Sequence, residues 1–155
     1  LVARLAERGV PTAGLDRMNL SQPLAVRDLT AAMAFAVQPL DDLNLAGLLV
    51  SPLFGWSQDE LYDLARRDGR KPLWVELGHR QGESALFRDT RAALGELLQM
   101  ADFESPYAFL ERILSGPLDG RRRLLGRLGR DKRDPIGELM NAALTFEAQE
   151  GGGLH

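Results

Sequence analysis

The sequence predicts an all-α domain of about seven or eight helices, with at most one short strand near its N-terminus. Three observations carry that expectation. Apolar residues recur at spacings of three and four along most of the chain, the period of a helix with one buried face. Helix-start chemistry recurs as well: Ser57-Gln58-Asp59-Glu60 has the S-x-x-E form of a capping box, and Ser105-Pro106 and Asp134-Pro135 set a capping side chain before a proline. The 155 residues are 45% hydrophobic and 26% charged, enough for one soluble core.

Leu1–Arg8 carries apolar residues at 1, 2, 5 and 6, as the last turns of an amphipathic helix would, and Gly9 stops it. Val10–Leu15 reads as a short strand whose Pro11 suits an edge. No partner strand follows, so its sheet is expected outside this segment. Pro23 suits the first turn of a helix, because the N–H it lacks would have no intrahelical acceptor. Val26, Leu29, Met33, Ala36 and Val37 then mark one buried face, with Arg27 and Asp28 off it, and Pro39 ends the helix. Asp41 or Asp42 caps the next one, whose Leu45, Leu48 and Leu49 face a core. Ser51-Pro52 stops it.

The capping box at Ser57 opens a helix using Leu61, Leu64 and Ala65, and Arg66–Lys71 is a basic loop. Pro72–Leu77 reads as a short helix carrying Leu73, Trp74 and Leu77, with His79 beside Gly78 in a polar loop. A helix from about Ser84 to Ala101 shows Leu86, Ala93, Leu94, Leu97, Leu98 and Ala101 on one side. Pro106 begins another, with Phe109, Leu110, Ile113 and Leu114, and Gly116-Pro117 ends it. Arg121–Arg133 follows as an amphipathic element whose core side is Leu124, Leu125 and Leu128. The last helix uses Ile136, Leu139, Met140, Ala143 and Leu144.

Composition removes several chemistries. No cysteine is present, which excludes disulfides, thiol catalysis and Cys-ligated zinc and fits a reducing cytoplasm. No apolar run approaches the roughly 20 residues that span a bilayer, and Arg4, Glu7 and Arg8 interrupt the start where a signal peptide would be apolar. No G-x-x-x-x-G-K-[ST] phosphate loop occurs. His79 and His155 lack the orienting carboxylate or second histidine that acid–base work or metal ligation requires. Ser51, Ser57, Ser84 and Ser105 stand where caps and turns explain them. Asp41-Asp42 and Asp59-Glu60 stand at helix starts, where the dipole favours negative charge. The sequence therefore offers no catalytic residue and no metal site.

Two constellations remain that suit a ligand. Ser51–Ser57 (SPLFGWS) is a glycine turn entering a helix, an arrangement whose backbone N–H groups and helix N-terminus suit a phosphate. Gly55, Trp56 and Ser57 are its candidate DNA-binding residues, with Trp56 lying against a sugar or entering the core. The bland reading is a capped inter-helix turn. The second is Arg121–Arg133, seven basic residues against one acid in a chain of net charge −3. Arg121, Arg122, Arg123 and Arg127 are its candidate phosphate contacts, and the bland reading is a solvated face that balances an acidic remainder.

The order of these segments resembles superfamily 1 DNA helicases related to UvrD and RecB. In that family an inserted accessory subdomain, 2B, follows a helix bearing a Lys-Asp or similar pair, then an Asn-Asp-Asp turn and a T-P-x-R-G-I-G loop. Arg27-Asp28, Leu40-Asp41-Asp42 and Ser51–Ser57 stand in those places here. Phe54 replaces the usual arginine and Ser57 the second glycine, a version more similar to the RecB and AddA branch. Leu1–Gly14 resembles the end of the helix after helicase motif IV and the strand beyond it. Leu97–Ala148 resembles AddA-type helicase–nuclease subunits of double-strand-break repair.

The resemblance implies a parent that is an ATP-dependent DNA helicase and exonuclease, using ATP and Mg at sites outside this segment. Residues 1–20 would complete the second RecA-like domain, 21–148 would be the 2B-like subdomain, and 149–155 a linker or artificial end. The implied partners are double-stranded DNA and an AddB-type subunit. The alternative is a structural module that docks on the motor or on that subunit without touching DNA. An unpaired edge at Val10–Leu15 would also make the isolated segment self-associate.

Overall fold

The computed structural model describes residues 24–67, 69–128 and 135–150. Among them are eight helices and no strand. The predicted strand at Val10–Leu15 and the helix end before it lie outside the described residues.

Helix α1 (Leu24–Val37) is the centre of the arrangement and touches four others: α2 (Asp42–Val50), α5 (Ala85–Phe103), α7 (Gly120–Leu128) and α8 (Pro135–Glu150). Four neighbours bury more than one stripe of a helix. Ala25, Val26, Asp28, Leu29, Ala32, Met33 and Phe35 are therefore all buried. Asp28, expected off the buried face, is 8% exposed, because a second face of α1 is covered too. Arg27 does point outward.

Around this centre the local signals produce the elements they predict. The Asp41 carboxylate caps α2, accepting from Asn44 N at 3.2 Å, and Leu45, Leu48 and Leu49 are fully buried. Helix α3 (Gln58–Ala65) begins with both arms of the capping box, Glu60 N to Ser57 Oγ at 3.1 Å and Ser57 N to Glu60 Oε1 at 2.7 Å. Ser84 caps α5. Ser105 caps α6 (Pro106–Ser115), whose Phe109, Leu110, Ile113 and Leu114 are buried as spaced.

Tertiary packing overrides the pattern in four places. Helix α4 (Leu73–Arg80) runs three residues past Leu77, so Gly78 and His79 are helical instead of looped. Arg91 crosses directly over Gly78, so that a Cβ there would meet its guanidinium. That guanidinium lies 3.7 Å from the centre of the Trp74 ring and donates to Trp74 O at 3.2 Å. Burial lowers the Arg91 pKa. On α5 the buried residues are Phe87, Thr90, Leu94 and Leu97, with Leu86, Leu98 and Ala101 only partly covered. Leu125 on α7 and Leu144 on α8 are 54% and 44% exposed; the core takes Leu124, Ile136, Met140 and Ala143 instead. Helix α8 also extends to Glu150, two residues into the stretch expected as a linker. Its Glu147 Oε1 accepts from Tyr107 N at 2.7 Å, so a carboxylate forty residues away satisfies the first turn of α6.

No described helix is long and apolar enough to cross a membrane.

Candidate nucleic-acid interface

The α2–α3 turn is built around a buried serine. Ser51, 1% exposed, donates its hydroxyl to Leu48 O at 2.6 Å and closes α2. Its own carbonyl accepts from Phe54 N at 3.1 Å and Gly55 N at 2.7 Å. Gly55 then takes φ +69°, left-handed backbone that a Cβ would strain. The chain thereby turns back so that Trp56 N donates to Leu49 O at 2.9 Å. Trp56 enters the core at 3% exposure, stacked on Phe87 with ring centres 5.3 Å apart. Its indole N–H donates to Thr90 Oγ1 at 3.0 Å. Of the three candidate residues here, Gly55 and Ser57 stay at the surface and Trp56 packs inside.

This geometry limits what the turn can do. A phosphate cradle offers several unpaired N–H groups converging on one point. Here the amides of Phe54, Gly55, Trp56 and Ser57 all donate within the protein. The carboxylates Asp59 and Glu60 also occupy the first turn of α3 and screen the positive end of its dipole.

The basic helix is positioned by a different set of contacts. Gly120, at the start of α7, is buried: a Cβ there would fall 2.6 Å from Ile113 O and 3.1 Å from Leu53 Cδ2. Only a glycine lets α7 approach α6 and the α2–α3 turn this closely. Asp119 before it has φ 50°, which a short polar side chain tolerates better than most. Leu124 is fully buried and anchors the helix against the core.

The three consecutive arginines then have three different environments. Arg121 is exposed and makes no ion pair among the described residues. Arg122 is 75% exposed and pairs with the Asp119 carboxylate; that hydrogen bond, then its charge, raises the Arg122 pKa. Arg123 Nη1 donates to Leu53 O at 2.7 Å, across seventy residues of sequence. Arg127 belongs to the same helix, but its side chain, like Arg130, Lys132 and Arg133, lies outside the described residues. The two constellations found separately in the sequence are thus one face of the molecule, joined through Leu53 and Arg123. Nothing local predicts that junction; the carbonyl of a buried leucine leaves no mark in a residue pattern.

A second polar region went unread in the sequence. An open groove of about 790 Å³ is lined by Asp63, Arg66, Arg67, Glu76, Arg80 and Glu83. Arg80 is its hub, with Asp63 at 2.9 Å, Glu83 at 3.1 Å, Glu76 at 3.8 Å and the Phe87 ring at 5.1 Å. The Asp63 hydrogen bond raises the Arg80 pKa, against the lowering effect of burial. Arg67, expected as part of a basic loop, donates to Asp42 Oδ2 at 2.9 Å and to Ala65 O at 2.8 Å. Asp42 Oδ1 in turn accepts from Leu73 N at 2.8 Å and starts α4. These charges hold α2, α3 and α4 together.

The chain has no G-x-x-x-x-G-K-[ST] loop, and the turn that most resembles a phosphate cradle has its amides engaged. Compared with family models, with curated proteins and with solved structures, the chain matches none.

Proposed function

We propose that this chain is the 2B-like accessory subdomain of an AddA-type, ATP-dependent DNA helicase–nuclease, and that α7 carries its contact with duplex DNA. The observation that supports this reading is the exposed pair Arg121 and Arg122, on a helix anchored by buried Gly120 and Leu124 and by the hydrogen bond from the likewise exposed Arg123 to Leu53 O. A fixed helix that presents guanidinium groups suits the regularly spaced phosphates of a duplex, without reading its bases. The segment order quoted above supplies the identity of the parent. In that parent the nucleotide, its Mg and the nuclease chemistry belong elsewhere, in the cytoplasm, and this subdomain orients DNA ahead of the motor. Alone it neither binds nor hydrolyses ATP.

The second reading, a module that docks on the motor or on an AddB-type subunit, has its own support. Leu43 and Phe103 are 86% and 88% exposed, and the turn that should face phosphates has its donors engaged. Fluorescence anisotropy of a labelled, tailed duplex at two salt concentrations separates the two. Salt-sensitive binding that weakens in the combined Arg121, Arg122 and Arg123 to alanine variant supports DNA orientation. A flat titration at low salt rejects it in favour of docking.

A further inference from the structure

The three arginines that open α7 are equivalent in the sequence and not in the structure. Resting on the DNA-orienting reading, we propose that Arg121 and Arg122 meet the phosphates, whereas Arg123 is a positioning residue that fastens α7 to the α2–α3 turn.

The argument begins with what each guanidinium already does. Arg123 reaches across to Leu53 O at 2.7 Å, a carbonyl whose own residue is fully buried. A charged donor to a carbonyl is one of the stronger neutral-partner hydrogen bonds, and withdrawing it would leave that carbonyl unsatisfied. Gly120 one turn earlier lies tight against Ile113 O and the Leu53 side chain. Arg123 and Gly120 therefore grip the same residue, Leu53, from successive turns of one helix. Moving Arg123 to a phosphate would release that grip.

Arg121 and Arg122 have no such attachment. Arg121 pairs with no carboxylate among the described residues, and Arg122 is tied only to Asp119, at the surface. A phosphate can displace an exposed carboxylate at little cost, since such pairs contribute little in water. Asp119 thus lowers the affinity of the face by competing for Arg122.

The salt dependence of binding distinguishes a contact from a support. Each phosphate neutralised on a duplex adds about 0.9 to the slope of log K against log salt. The test titrates a labelled duplex with the full chain at several salt concentrations. It compares the unaltered protein with Arg121→Ala, Arg122→Ala, Arg123→Ala, Arg123→Lys and Asp119→Asn, and records a thermal melt of each. Arg121→Ala and Arg122→Ala are expected to flatten the slope by roughly 0.9 each and to leave the melting temperature unchanged. Arg123→Ala is expected to keep the slope, weaken binding severalfold and lower the melting temperature by roughly 3 °C. Arg123→Lys, which keeps a donor, should recover part of both losses. Asp119→Asn should tighten binding.

Equal flattening by Arg123→Ala and Arg121→Ala, with no change in melting temperature, would overturn the division of labour and leave DNA orientation standing. No binding by the unaltered protein at low salt would overturn the DNA-orienting reading, and this inference with it.

Discussion

The α2–α3 turn and the first turn of α7 lie against each other and use their polar groups in opposite ways. The turn at Ser51–Ser57 directs its amides, its serine hydroxyls and its tryptophan N–H to partners inside the protein. The α7 turn keeps all three arginines exposed and ties one of them, Arg123, to the Leu53 carbonyl. From residue types alone the glycine turn is the better anion site. Once hydrogen-bond partners are counted, the amides of the turn are already engaged, whereas Arg121 and Arg122 stand exposed. A motif's capacity to bind depends on what its atoms are not already doing.

That contrast can be broken most forcefully at Trp56. Trp56→Ala should cost about 4 kcal/mol, measured by chemical denaturation, because it empties a buried site and removes the stack on Phe87. A loss under about 1 kcal/mol would mean that the ring is not the anchor of the turn. Arg80→Ala comes next, at about 2 kcal/mol, since it leaves the nearly buried Glu76 carboxylate without its closest cation in the core of the groove. The raised Arg80 pKa implies stability that is fully present below the guanidinium's ordinary value and lost only as pH rises beyond it. This guanidinium should therefore contribute the same stability at pH 6 and at pH 9, and a melt series comparing Arg80→Ala with the unaltered protein checks it.

Ser57→Ala removes the side-chain acceptor of the capping box and should cost about 1 kcal/mol by the same denaturation measurement. It should leave any DNA affinity untouched if the turn is scaffolding. The smallest effect on stability belongs to Arg121→Ala, within about 0.5 kcal/mol of zero. Its signature is the flattened salt slope, so the two turns should separate cleanly: stability lost on one side, salt dependence on the other.

Much of the fold was legible because helix boundaries are written locally. Ser57 with Glu60, Ser105 with Pro106, and Asp41 all mark starts that the structure keeps. Faces were legible where a helix has neighbours on one side, as at Phe109, Leu110, Ile113 and Leu114. They failed where topology decides. Asp28 is buried because α1 is covered by four helices, and Leu125 and Leu144 are exposed because the described helices pack against other positions of α7 and α8. Gly78 and His79 were read as a loop because a glycine beside a polar residue looks like one; in the structure Arg91, on the next helix, lies over that glycine. The candidate site was legible as two lists of residues, and the contact that joins them runs through a backbone carbonyl seventy positions away.

The packing of α8 on α1 and α6 has a consequence for how the protein is made. Helix α1 is synthesised before every other described helix, and its last neighbour, α8, leaves the ribosome more than a hundred residues later. The Tyr107 amide likewise waits for Glu147. Until then a flank of this central helix lies open, and early collapse onto itself or onto another nascent chain competes with the native pairing. The domain's vulnerability is therefore one of timing: what lies deepest in the finished molecule is what the growing chain exposes longest.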